Sequence, residues 1–137
     1  MTKQKSRIRA ISVLLLMACF LHLSVYATTR ASDQIFAYEV DAVACGGGKV
    51  AIGFSIEGTD IMNSLGASKI RIYEPNGHLA EVFLKSDEGM TASNKSFYGH
   101  TMYFYGTPGV EYKVTVTVFA EDANGSDSRS VTVYVTA

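Results

Sequence analysis

The sequence predicts an all-β fold, a seven-stranded antiparallel β-sandwich preceded by an N-terminal signal helix. Two observations predict the sandwich. Period-two alternation of apolar and polar residues runs through most of the chain beyond residue 34. Turn-forming clusters of Gly, Pro, Asn and Asp interrupt it at intervals that suit short strands. A third observation, a basic and then apolar opening, predicts the signal.

The alternation is clearest at Val114-Thr115-Val116-Thr117-Val118, where the valines share one face and the threonines the other. Val131, Val133 and Val135 alternate with Ser130, Thr132, Tyr134 and Thr136, and Val50, Ile52, Phe54 and Ile56 with Ala51, Gly53, Ser55 and Glu57. Cys45-Gly46-Gly47-Gly48 joins a strand over 35–44 to one over 49–57. Pro75-Asn76-Gly77 joins 69–74 to 79–85, since Asn-Gly readily supplies the positive φ of a tight hairpin. Thr107-Pro108-Gly109 separates 96–105 from 110–120, and Ala123-Asn124-Gly125 separates that strand from 128–136. Two longer gaps remain. In 58–68, Ile61, Met62 and Leu65 stand at near-helical spacing and predict one helical turn. The stretch 86–95 shows no pattern beyond Met90 and is expected to be a mobile loop.

The start of the chain has a different chemistry. Lys3, Lys5, Arg7 and Arg9 precede an apolar run from Ala10 to Leu23, broken by Ser12 and His22. Val25-Tyr26-Ala27 then offers small or branched residues at its first and third places. Basic, apolar and small-residue segments in that order are the plan of a secretory signal. The expected domains are a signal peptide over 1–27 cut after Ala27, a flexible arm over 28–34, and the sandwich over 35–137. Localisation is then secreted. Leu16-Met17-Ala18-Cys19 offers an alternative, a lipid anchor on Cys19, although the apolar run continues past it. An uncut anchor helix is a third reading, at the short end of what a span needs.

Removing 1–27 changes the charge. Four of the 12 Lys/Arg and none of the 13 acids lie in that segment, so residues 28–137 hold eight cations against 13 acids, a net charge of −5. That balance argues against nucleic acid and against an anionic membrane as partners. Cys19 leaves too, so Cys45 stands alone, a free thiol with no internal disulfide to make. The core must hold the domain, and Cys45 could join two chains into a dimer.

Tyr112 follows the Pro108-Gly109 turn and opens the long penultimate strand. This placement resembles the tyrosine corner of immunoglobulin-like and fibronectin type III domains. The core tryptophan and paired cysteines of immunoglobulins are missing, which points to a fibronectin-like or more distant sandwich. Further residues carry a second resemblance: Arg30-Ala31-Ser32-Asp33, Gly58-Thr59, Met62, Leu65-Gly66-Ala67, Lys69-Ile70, Tyr105-Gly106-Thr107, Gly109, Tyr112 and Gly125-Ser126-Asp127-Ser128-Arg129. Together they resemble a family of small exported proteins of clostridia and related Firmicutes, a domain of unknown function, across Arg30 to Arg129. Cys45 has no place in that pattern. The resemblance implies a secreted bacterial protein and supplies no activity or site residues.

No catalytic motif stands out. His78 follows the Asn-Gly turn and is expected to be exposed. His100 lies between Tyr98 and Met102 on the face expected to lean toward the core, and a structural role at a sheet edge is its expectation. No Gly-x-Ser-x-Gly elbow exists, and nothing in the spacing assembles a nucleophile, base and acid. Asp122, Asn124 and Asp127 open like a calcium loop but lack the later ligands calcium needs, so no metal and no cofactor are expected. The aromatic strand is the strongest candidate. Alternation puts Tyr98, His100, Met102 and Phe104 on one face, and Phe97, Thr101, Tyr103 and Tyr105 on the other. If the first is core, Phe97, Tyr103 and Tyr105 form an outward stripe suited to a wet binding surface. Tyr73 and Tyr134 add to the outer surface, on a sheet the sequence does not specify. The expected function is a non-enzymatic extracellular interaction module, binding a protein or glycan. The alternatives are a carbohydrate-binding domain using the aromatic stripe, and a small secreted hydrolase centred on His100.

Overall fold

The computed structural model describes residues 32–137. The expected signal peptide, the cut at Ala27, lipidation at Cys19 and residues 28–31 of the arm lie outside the described residues. Every regular element described is a strand: β1 (Ile35–Gly46), β2 (Lys49–Met62), β3 (Ser64–Tyr73), β4 (Leu79–Leu84), β5 (Thr91–Ala92), β6 (Lys95–Tyr105), β7 (Glu111–Asp122) and β8 (Gly125–Thr136). They form two antiparallel sheets. One has the order β1-β2-β6; the other has the order β4-β3-β7-β8, with β5 paired to β3. The count is eight rather than seven because β5, a two-residue strand, pairs Ala92 with Leu65 and Thr91 with Gly66.

Three hairpins hold most of the register. The β1–β2 turn uses Gly46, Gly47 and Gly48, all at positive φ, which is why glycine fills all three places. The β3–β4 turn uses Gly77 at positive φ, and the Asn76 side-chain oxygen accepts the His78 N–H at 3.0 Å. The β7–β8 turn places Asp122 opposite Gly125.

The inner faces of both sheets supply one core. Val50, Ile52, Phe54 and Ile56 come from β2, Ile70 and Ile72 from β3, and Val114, Val116 and Val118 from β7. These are the alternating residues of the three strands that run down the middle of the sheets. Each full burial of such a side chain is worth roughly 1.5–3 kcal/mol.

Two gaps differ from expectation. Residues 58–68 form no helical turn. Instead β2 runs on to Met62, and β3 starts at Ser64. Met62 and Leu65 are both fully buried, but the chain changes sheets between them, with the Asn63 N–H donating to the Glu121 carbonyl at 2.8 Å. Two buried residues three apart imitate a helix when a sheet crossing separates them. Ile61 points outward. The expected mobile loop, 86–95, is pinned. Met90 is fully buried, its carbonyl accepts the Ala67 N–H at 2.8 Å, and the Tyr98 hydroxyl donates to the Gly89 carbonyl at 2.6 Å. The described end of the expected arm is also held. Gln34 is buried, and its carbonyl accepts the Thr59 N–H at 3.0 Å.

Candidate functional site

The site is built by register. Strand β2 lies between β1 and β6, so outward residues of the three strands line up in rows. The rows read Ala37–Glu57–Phe97, Glu39–Ser55–Gly99, Asp41–Gly53–Thr101 and Val43–Ala51–Tyr103, with Lys49 opposite Tyr105 at the end. Their inward neighbours on β2 are the core residues Val50 to Ile56, so these rows form the outer face of the three-stranded sheet.

Phe97, Tyr103 and Tyr105 are all on this face and open to solvent, at 57 %, 49 % and 71 % exposure. Val43 joins them at 54 %. From Phe97 to Tyr103 is six residues, about 20 Å at about 3.4 Å per residue. The two rows between carry no aromatic ring. Gly53 and Gly99 leave the floor low there, and the residues of these rows line a shallow trough of about 330 Å³. The Asp41 carboxylate lies over the Gly53 backbone, and the Phe97 ring leans toward Gly99. Each glycine therefore makes room for a neighbouring side chain. At the far end the Lys49 ammonium sits 4.3 Å from the Tyr103 ring centroid. The charged groups of the face are Glu39, Asp41 and Glu57 against Lys49.

The expectation of an outward aromatic stripe was legible in one strand. The acids and the glycine floor were missed. Alternation along β1 puts Glu39, Asp41 and Val43 on one face, but only pairing through β2 brings that face beside β6.

The other candidates lie elsewhere. Tyr73 and Tyr134 belong to the second sheet, in a row with Lys113 between them. His78 is exposed beside Asn76, 3.5 Å from its side-chain nitrogen. His100 has the predicted inward register but is exposed, because β6 is an edge strand. Its ring stacks on Tyr98 at 6.2 Å and 6° and packs against Gly89. Cys45 is an exposed free thiol, its Sγ 3.7 Å from the Val43 carbonyl oxygen.

The loop that resembles a calcium site uses its carboxylates locally. Asp122 Oδ1 accepts the backbone N–H groups of Asn124 and Gly125 at 2.8 and 3.0 Å, which caps the hairpin turn. Asp127 Oδ1 takes the Arg129 guanidinium at 2.6 Å and the Ser128 N–H at 2.8 Å. Among the described residues, no group of three or more His, Cys, Asp or Glu side chains is placed to hold a metal ion.

Hydrogen bonds from the Ser32 hydroxyl, and then from Arg129, hold the Asp127 carboxyl below its ordinary value of 3.8. A depressed carboxyl pKa adds stability that is present above the unfolded value and is lost as pH falls through the folded one. Asp127→Asn should therefore melt slightly lower than the parent near neutral pH. The gap should close as pH drops below about 4. Thermal melts by circular dichroism across that range test this, and a gap that stays constant with pH would refute it.

An antiparallel two-sheet protein with an open, aromatic-bordered outer sheet face is the class these features define. Compared with known proteins, the chain matches no protein-family profile, no curated protein and no solved structure.

Proposed function

We propose that this chain is an exported, non-catalytic binding module that engages an extracellular ligand through the outer face of β1, β2 and β6. The observation that carries this reading is the exposure of Phe97, Tyr103 and Tyr105 on one sheet face. Burying such rings against a partner is the main gain open to them, and tyrosine tolerates a surface that is wet when free. The basic and apolar opening of the sequence supports export.

The finer assignment of the fold belongs to the same proposal. Constant-type immunoglobulin domains place the fourth strand beside the three that include the first two. Here β4 pairs with β3 on the larger sheet, leaving three strands facing the β4-β3-β7-β8 row, to which the short β5 is added. That order, with no tryptophan and a free Cys45, supports a fibronectin type III-like sandwich. The proposed kinship with the small exported clostridial proteins rests on the residues quoted for it, and it too implies work outside the cell.

The test is face-specific loss of binding. The chain, expressed in full and recovered from an exporting host, would be applied to intact cell surfaces and extracellular matrix. A triple variant, Phe97→Ala with Tyr103→Ala and Tyr105→Ala, should lose retention. Tyr73→Ala with Tyr134→Ala, on the opposite sheet, should keep it. Retention lost only in the second variant, or in neither, would overturn the assignment of the face.

A further inference from the structure

We infer that the ligand of this face is a glycan, an extended chain of neutral sugar rings lying along β6. The inference rests on the proposed binding face and names its ligand class. Three observations carry it. First, the rings are spaced rather than clustered. Phe97 stands at one end, Tyr103 and Tyr105 at the other, about 20 Å apart along the strand. A compact protein hot spot would instead gather its anchors at the centre of the patch.

Second, the centre of the face is polar and anionic. The two middle rows carry Glu39, Ser55, Asp41 and Thr101. Charged residues are depleted from the middle of protein–protein interfaces. Sugar hydroxyls, however, are donors, and ionised carboxylates accept hydrogen bonds from them with charge assistance. Each sugar ring also presents an apolar C–H face that can lie flat on an aromatic ring. Aromatic ends on either side of a carboxylate centre match a ligand that offers C–H faces at its ends and hydroxyl edges between them.

Third, the floor is low. Gly53 and Gly99 add no side chain of their own, so the trough is shallow, with the Asp41 carboxylate forming its surface over Gly53 and the Phe97 ring bordering Gly99. A sugar ring laid across this trough would meet the Asp41 carboxylate rather than bare backbone. The excess of acids over the single Lys49 also sets a sign: neutral sugars should be preferred to sulfated or sialylated ones.

The experiment pairs a glycan array of neutral and anionic polysaccharides with retention on cell surfaces treated by periodate or by protease. Neutral polysaccharides should bind the parent chain. Phe97→Ala and Tyr103→Ala should each weaken that binding by about tenfold, as should Asp41→Asn. Tyr134→Ala should leave it unchanged. All four sites are on the surface, so equal melting temperatures will show that the variants are folded. Periodate, which cleaves vicinal diols, should abolish cell retention, and protease should not. If the face variants lose cell retention but periodate spares it and no neutral glycan binds, the glycan inference falls while the binding face stands. If the face variants bind cells as the parent does, the face itself is wrong and the inference falls with it.

Discussion

Replacing Tyr112 with alanine should cost about 3–5 kcal/mol of stability, the range for removing a large aromatic ring from a packed core. That is a large share of the roughly 5–15 kcal/mol that holds an ordinary domain together. The ring is buried and meets Phe104 edge-on, with centroids 4.9 Å apart. Its hydroxyl accepts the Thr107 N–H at 2.8 Å, tying the start of β7 to the turn that precedes it. Tyr112→Phe separates the two contributions. It keeps the ring and drops the hydrogen bond, and Thr107 lies where water can replace it. The expected loss is therefore only about 1 kcal/mol. With no tryptophan in the chain, urea unfolding followed by far-ultraviolet circular dichroism is the measurement. Equal losses for the two variants would show that the hydroxyl, and not the ring, does most of the work.

Gly66→Ala is expected to cost about 3 kcal/mol or more, through the backbone alone. Gly66 has φ +144°, where a side chain is strained. A methyl group there would also run into the Met90 carbonyl oxygen and crowd Thr91 Cα. No rotamer change relieves a clash with backbone. Strand β5 would have to leave β3, and fully buried Met90 with it. Gly77→Ala is the control. Gly77 also has positive φ, +86°, but nothing lies within 4 Å of the added atom. Its cost should stay near the roughly 1–2 kcal/mol of the left-handed conformation. If the two variants unfold at the same urea concentration, the close approach of β5 contributes nothing.

Those two glycines also mark where sequence reading stops. Asn76-Gly77 is a local signal, because the residues that need the positive φ are the residues that turn. Nothing beside Gly66 in the chain shows why it is glycine. Its neighbour is Met90, and only the crossing back from β4 to β6 brings Met90 there. The same limit explains the missed helix-free gap at 58–68. Met62 and Leu65 have a helical spacing, and the sheet change between them depends on β7 offering Glu121 to Asn63. It also explains the pinned stretch 86–95, which bonds to Ala67 and Tyr98 outside itself as well as within its own turn.

The binding face divides in the same way. Alternation in β6 alone separated Phe97, Tyr103 and Tyr105 from Tyr98, Met102 and Phe104, because period two is a property of a single extended strand. By itself the sequence determined the all-β class, the positions of the hairpins and which aromatic residues share a side. The tertiary structure decided that β1 and β2, and not β7 and β8, share a sheet with that strand. It thereby set Glu39, Asp41 and Gly53 among the rings, and sent Tyr73 and Tyr134 to the far side of the molecule. The reason is the range of the forces involved. Side-chain alternation is written in adjacent residues, whereas strand order is settled by how two greasy faces, assembled from the whole chain, bury each other.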